Sequence, residues 1–291
     1  MRNKKVVFDI LFDVTAETLQ EFTRDPKHLG AEIGFTAVLH TWGQNLLFHP
    51  HLHCVVTGGG LKDDDDNSTW IATSPKFFLP VKALGAVFRG KFLDALDVAK
   101  DAGRLDFAGS TAHLTPLKAW RNFLGDLPRE WVVYAKPPFA GPEQVYRYLG
   151  HYTHRVAISN HRLVSMTDGS VTFSWKNYRR HGKRGLMTLS AVEFIRRFLL
   201  HVLPKRFIRI RHYGLLSSRN IFTKLDRARH LLTSRVDRPS PKSRSKEPAL
   251  PWWERLLALT GIDVFLCPFC ETGRLIRHPL SPTPAAAARA P

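Results

Sequence analysis

Residues 49–54, His-Pro-His-Leu-His-Cys, run into Val55-Val56 and then Thr57-Gly58-Gly59-Gly60, and this stretch constrains the chain more than any other. Its alternation predicts a β-strand. His51, His53 and Val55 point to one face, and Leu52, Cys54 and Val56 to the other. Two imidazoles two residues apart then project side by side from a stiff scaffold, which suits gripping one metal ion. A purely structural histidine pair is the plain alternative. The glycine triplet is expected to end the strand and let other backbone come close.

The surroundings supply partners for that strand. Val6, Val7, Ile10, Leu11, Val14, Leu19 and Phe22 recur at spacings of three and four, predicting an amphipathic helix over 4–23 that stops before Pro26. Gly34 to His40 is β-prone and would pair antiparallel with 51–56. The acidic run 63–66 reads as a solvated turn before a short strand at 69–72. Residues 75–127 read as mostly helical, and 131–135 as a strand. Gly141-Pro142 opens a helix, with proline suited to its first turn. A hairpin follows, with strand-like residues 156–158 and 162–166, a Thr167-Asp168-Gly169-Ser170 turn, and a return over 171–175.

Charge narrows the class of partner. The 291 residues carry a net charge of +18, which points to a polyanion, most often nucleic acid. An anionic membrane surface is the competing reading, but no stretch approaches the ~18 apolar residues needed to span a bilayer. The N-terminus lacks the pattern of a secretory signal, and three cysteines give no disulfide framework, so a cytoplasmic, nucleoid-associated protein is expected. Between Lys176 and Arg238 stand 17 Lys or Arg against 3 acids, interleaved with Tyr178, Phe194, Phe198, Phe207, Tyr213 and Phe222. Cations for phosphates beside rings for bases is a single-strand-binding pattern. Residues 191–203 read instead as helix core, while 176–185 and 205–213 are expected to contact phosphate. The expected organisation is a core over 1–175, a basic helical extension over 176–237, a Pro/Ser/Lys-rich linker over 238–251, and a short helix, CxxC and tail over 252–291.

A second constellation lies at 142–154, Pro-Glu-Gln-Val-Tyr-Arg-Tyr-Leu-Gly-His-Tyr-Thr-His. On a helix Tyr148 and Tyr152 share a face, about 6 Å apart at Cβ. Taken alone, such a pair is a packed aromatic stripe. Beside a metal site it has chemistry. A phenol is a poor nucleophile at its free pKa of about 10, a nearby cation favours the phenolate, and attack on phosphate conserves the bond energy in a phosphotyrosine. Arg147 and Arg155 flank the pair with positive charge.

The order of a His-hydrophobic-His strand followed by a tyrosine-paired helix resembles the HUH endonuclease superfamily. Within it, the chain is similar to the two-tyrosine transposases of rolling-circle insertion sequences. The resemblance is carried by GFTAVLHTWGQNLLFHPHLHCVVTGGGL (34–61), WVVYAKPPFAGPEQVYRYLGHYTHRVAISNHRL (131–163) and FLLHVLPKRFIRIRHYG (198–214). It implies an α+β fold in which a central antiparallel sheet, with the HUH strand inside it, is flanked by helices. It further implies His51 and His53 as ligands of Mg²⁺ or Mn²⁺, and Tyr148 and Tyr152 as nucleophiles acting on single-stranded DNA at the ends of a mobile element. Gln44 is the first candidate for a third ligand, with His49 and His154 as alternatives. Arg147, Arg155, Lys176, Arg179, Arg180 and Arg211 are the expected DNA contacts. A plasmid relaxase or replication initiator shares this chemistry, and an inactive nucleic-acid-binding remnant is the reading from another class. Family members begin with a Cys-rich zinc-binding domain, whereas this chain starts beyond where one would end; a shortened member is expected, with local divergence at 63–66 and 106–130. Cys267 and Cys270 offer two of the four ligands of a structural Zn²⁺ site, with His278 as a candidate third.

Overall fold

The histidine strand pairs on both sides. In the computed structural model, which describes residues 2–64, 67–139, 141–153, 157–177, 182–234, 251–261, 263–267, 269–270 and 272–276, two compact units are distinguished, Met1–Val236 and Asp237–Pro291. In the first unit, β1 (Glu32–Trp42), β2 (Phe48–Asp64) and β3 (Asn67–Ala72) form an antiparallel sheet. A later strand, β7 (Ile210–Gly214), adds to the free side of β1, giving the order β3-β2-β1-β7. The histidine strand β2 is therefore interior, as expected.

Period-two alternation sorts this sheet into two faces. Ile33, Phe35, Ala37 and Leu39 of β1, with Leu52, Cys54 and Val56 of β2, pack on Phe8, Phe12 and Ala16 of α1 (Lys4–Arg24). Each such fully buried aromatic contributes on the order of 2–3 kcal/mol from apolar burial. The other side of α1, Ile10 and Val14, packs on Phe92, Leu96 and Ala99 of α2 (Val81–Asp101) and on Trp120 of α3 (Leu117–Asp126). With one sheet face sealed by α1, the histidines are committed to the opposite face.

β2 is longer than the sequence reading. The glycines do not end it; the ladder runs on through Gly59 and Gly60 to Asp64. At Gly59 a Cβ would stand 2.5 Å from the Ile71 carbonyl oxygen and 2.7 Å from the Trp70 indole, so glycine lets β3 close over the strand. The expected strand at 131–135 is also different: these residues belong to no ladder, and Val132 and Tyr134 are exposed. Asp65 and Asp66 of the acidic run lie outside the described residues, while Asp63 pairs with Arg227 at 3.0 Å.

A second sheet, β4 (Leu163–Thr167), β5 (Ser170–Asn177) and β6 (Lys183–Ser190), is antiparallel in the order β4-β5-β6. Its first turn places Asp168 at φ +50° and Gly169 at φ +68°, the left-handed pair that a type I′ hairpin requires. Residue 156 lies outside the described residues, and Ala157 and Ile158 are in no strand. α5 (Ala191–Leu199) opens with Ser190 Oγ accepting from the Glu193 N–H and turns Phe194 and Phe198 onto Phe173. α4 (Pro142–Thr153) is the expected tyrosine helix. α6 (Lys224–Ser234) packs Ala228 and Leu231 against Leu61, Trp70 and Leu215. Residues 176–234 thus contribute β6, β7, α5 and α6 to the same unit as the core, as well as basic surface. No helix of the described residues is long and apolar enough to cross a membrane.

Within the second unit, α7 (Trp252–Thr260) ends at Gly261 in the left-handed region, φ +69°, whose N–H donates to the Leu257 carbonyl. A small turn follows, closed by a bridge between Leu266 and Arg274. Backbone N–H groups of Thr272 and Gly273, together with the Cys267 thiol, hold the Cys270 thiol below its usual range, at about 7.

Candidate metal centre

Cross-strand register assembles three imidazoles on the face away from α1. His40 of β1 lies opposite His51 of β2, and Val38 opposite His53. His40, His51 and His53 thereby share a face, with ligating nitrogens all within 4.8 Å of one another. His51 Nε2 and His53 Nε2 face each other at 3.0 Å. Two nitrogens on one ion stand roughly that far apart, given bonds of ~2.1 Å meeting near a right angle. His40 is 4% exposed, stacked on Trp42 at 4.7 Å and edge-on to His53 at 4.4 Å.

The protonation states suit ligation. Burial lowers the His51 pKa, and burial with the neighbouring His51 and Lys136 lowers that of His53 to about 4. Both rings are therefore neutral at pH 7 and can offer lone pairs. His51 Nδ1–H donates to the His49 carbonyl at 2.7 Å, which places its lone pair on Nε2, facing the cluster. Together with His40, these rings form a set of three imidazole nitrogens that fits a divalent cation.

Tyr148 reaches this cluster from α4. Its hydroxyl lies 2.6 Å from His53 Nδ1, and its ring packs on Phe139 at 5.3 Å. Without an ion, one set of donors satisfies the whole chain. Tyr148 O–H donates to His53 Nδ1, His53 Nε2–H donates to His51 Nε2, and His51 Nδ1–H donates to His49 O. Tyr152 lies one turn further along α4, with its side chain outside the described residues. Tyr146 is exposed.

The turn joining β1 to β2 is clamped by side chains from far along the chain. Arg162 donates to the Gln44 carbonyl at 2.5 Å, Arg197 to the Asn45 carbonyl at 3.1 Å, and buried His201 bonds the Leu46 carbonyl at 3.1 Å. Leu46 is fully buried with φ +60°, a conformation costing about 1–2 kcal/mol for a residue with a Cβ. Three consecutive carbonyls, each with a donor, hold that strained residue in place and with it the register of His40 on His51.

Gln44, from this turn, lines the same cleft as the three histidines, and His49 is exposed beside His51. His154, Arg155, Arg179 and Arg180 lie outside the described residues. Sequence reading missed His40. The available signal was the antiparallel pairing of 34–40 with 51–56, because a tight connection puts a histidine ending the first strand opposite the start of the second.

A cleft of about 600 Å³ opens from the histidines toward the second sheet, with Trp175, Lys176 and Arg184 on its far wall. Lys176, Arg184 and, on α4, Arg147 are exposed. Arg211, an expected phosphate contact, already has partners within the protein. From β7 it pairs with Asp9, approaches Asp13 at 3.8 Å and lies over the Phe12 ring at 4.2 Å, as an internal cation between α1 and the sheet. Its location within the 205–213 stretch gave no sign of this, because its partners are some 200 residues away.

Comparison with known proteins identifies relatives of the chain. Residues 34–221 match a family model described as "Putative transposase". "Putative transposase y4qJ" of Sinorhizobium fredii (strain NBRC 101917 / NGR234) is 53% identical over 276 residues, covering 94% of this chain and 68% of that protein. "Transposase for insertion sequence element IS801" of Pseudomonas savastanoi pv. phaseolicola is 27% identical over 266 residues, covering 91% of this chain and 60% of that protein. No solved structure matches the chain. The matched span contains the histidine strands, the tyrosine helix and both sheets, and on that basis the chain belongs to the two-tyrosine transposase family.

Proposed function

We propose that this chain cuts and rejoins single-stranded DNA at the ends of an insertion sequence by tyrosine transesterification, in the manner of rolling-circle transposition. The observation that carries this reading is the 2.6 Å contact between the Tyr148 hydroxyl and a histidine of the three-imidazole cluster. His40, His51 and His53 would hold the divalent cation, and three nitrogen donors favour Mn²⁺ over Mg²⁺. Bound there, the ion would supply Lewis-acid polarisation of the scissile phosphate.

The protein's own groups prepare the nucleophile. Were His53 to serve as a ligand through Nε2, its ring proton would sit on Nδ1, facing the Tyr148 hydroxyl. Nδ1–H would then donate to Oη, where negative charge develops, and the phenol proton would be released toward the open cleft. Oη bonds to phosphorus as the P–O3′ bond breaks. The 3′ oxygen leaves and takes up a proton, so a 5′-phosphotyrosine and a free 3′ hydroxyl result. Tyr152, four residues further along α4, would hold the second strand, and the 3′ hydroxyl would reverse the step to rejoin DNA. Lys176 and Arg184 would track the backbone across the cleft, with the Trp175 indole beside them for a base to stack on.

The test is a search for the covalent adduct. Protein is mixed with Mn²⁺ and single-stranded oligonucleotides from the flanks of the gene, then run on a denaturing gel beside Tyr148→Phe, Tyr152→Phe and the double variant. A shifted band that needs metal and is lost in the double variant is expected. DNA binding without any adduct would reduce the chain to a binding protein.

A further inference from the structure

The second unit carries a cysteine pair that this chemistry does not use. Cys267 and Cys270 sit on one turn in the sequence Cys-Pro-Phe-Cys-Glu-Thr-Gly. The turn is closed at its base by Cys267 N–H donating to the Gly273 carbonyl at 2.7 Å and by Leu275 N–H donating to the Phe265 carbonyl at 2.6 Å. Gly273 N–H in turn donates to Cys270 Sγ at 3.3 Å. A backbone N–H aimed at sulfur stabilises thiolate rather than thiol. A Cβ on Gly273 would stand 3.1 Å from Cys270 Sγ and 3.7 Å from Cys267 Cβ, so the absence of a side chain gives the sulfur its room.

A disulfide would explain two nearby cysteines but gives no reason for N–H groups turned on one sulfur. Soft thiolates presented by a knuckle of this kind select Zn²⁺. Two thiolates are half of the tetrahedral set. Among the described residues, no further His, Cys, Asp or Glu joins these two in a metal-binding group. Asp263, the described acid of this turn, is occupied by the Phe265 N–H at 2.9 Å and by Arg274 at 3.4 Å, and Glu271 and His278 lie outside the described residues.

The surface around the knuckle indicates what completes it. Phe269, between the cysteines, is 95% exposed, and Leu275 and Ile276 on the returning segment are also exposed. A tetrahedral four-sulfur site has twofold symmetry through the metal, so two identical Cys-x-x-Cys turns can complete it. The same twofold contact would bury Phe269, Leu275 and Ile276 on both sides. We infer that Cys267 and Cys270 form a half-site for Zn²⁺, completed by the same pair from a second copy of this chain.

Cobalt substitution of the full chain tests this, because thiolate-to-cobalt charge transfer reports the cysteines and is silent to the histidine cluster. The band is expected to saturate at one Co²⁺ per two chains, with the visible bands of a tetrahedral site. Zn²⁺ should shift the chain to a dimer in sedimentation, and a chelator should return it to monomer. Cys267→Ser/Cys270→Ser should lose the band entirely. Phe269→Asp, which keeps both thiols, should weaken zinc affinity at least tenfold by opposing the twofold contact. Saturation at one metal per chain in a monomer would overturn the shared site, and so would absence of a thiolate band from the reduced protein. Neither result bears on adduct formation by Tyr148.

Discussion

The imidazoles of His40, His51 and His53 come from two strands and meet only through cross-strand register, whereas Cys267 and Cys270 stand three residues apart on one turn. The first arrangement is a product of the whole first unit. Its face is chosen by the packing of α1, and its register is held by Arg162, Arg197 and His201 gripping the β1–β2 turn. The second rests on hydrogen bonds within ten residues of chain. A long-range site can be undone from far away without touching a ligand, and a local one can be undone only locally.

The largest expected effect separates the two centres directly. His40→Ala or His51→Ala should abolish metal-dependent adduct formation while leaving the cobalt–thiolate band intact, and the double cysteine variant should do the reverse. Adduct titration beside the cobalt spectrum checks both. If His40→Ala retained full activity, the three-imidazole set would fail and Gln44 would return as the third ligand.

Arg197→Ala tests the long-range dependence. It removes the donor to the Asn45 carbonyl and should cost about 1–3 kcal/mol in urea unfolding. As a support of the ligand-bearing turn it should also weaken metal binding at the histidines by roughly 10–100-fold. The cysteine band should not change, and a change there would deny that the second centre is local.

Acid should act on the histidine centre through protonation. The folded state lowers the pKa of His53 from 6.5 to about 4, chiefly by burial, and lowers those of His51 and His201 for the same first reason. As pH falls below 6.5 the unfolded chain takes up protons that the folded chain refuses. Stability present above pH 6.5 is therefore expected to decline progressively toward pH 4. Melting temperatures across this range check it, and His53→Ala should flatten the slope.

The smallest effect concerns exposed cations. Arg147→Ala or Lys176→Ala should weaken binding to single-stranded DNA modestly and lower the slope of log affinity against log salt by about 0.7. Arg211→Ala should behave otherwise. It leaves Asp9 without one of its cations and should lower stability, seen as a reduced urea midpoint, more than it weakens DNA binding.

How much of this was legible depended on the range of the interaction concerned. The two faces of β2 followed from alternation alone, since the side-chain period of a strand is local geometry: His51 and His53 lie on one side, with Leu52, Cys54 and Val56 on the other. The tyrosine helix and the Asp168-Gly169 hairpin were equally readable, from proline and turn chemistry. Charge density in the basic stretches 176–185 and 205–213 said nothing about strand pairing or about which cations meet an acid of the protein. Lys183 and Arg184 belong to β6, and Ile210 to Gly214 complete the histidine sheet.

By itself, the sequence determined which residues share a face, where helices start and turns form, and that two histidines and two tyrosines stand at spacings suited to one chemistry. Tertiary structure alone decided that His40 joins them, that Tyr148 meets His53, and that Arg211 turns inward to Asp9. Periodicity is set by bonds between neighbouring residues and can be read along the chain. Register, and the pairing of a charge with a distant partner, are set by the collective burial of surfaces far apart in sequence, and no local pattern encodes them.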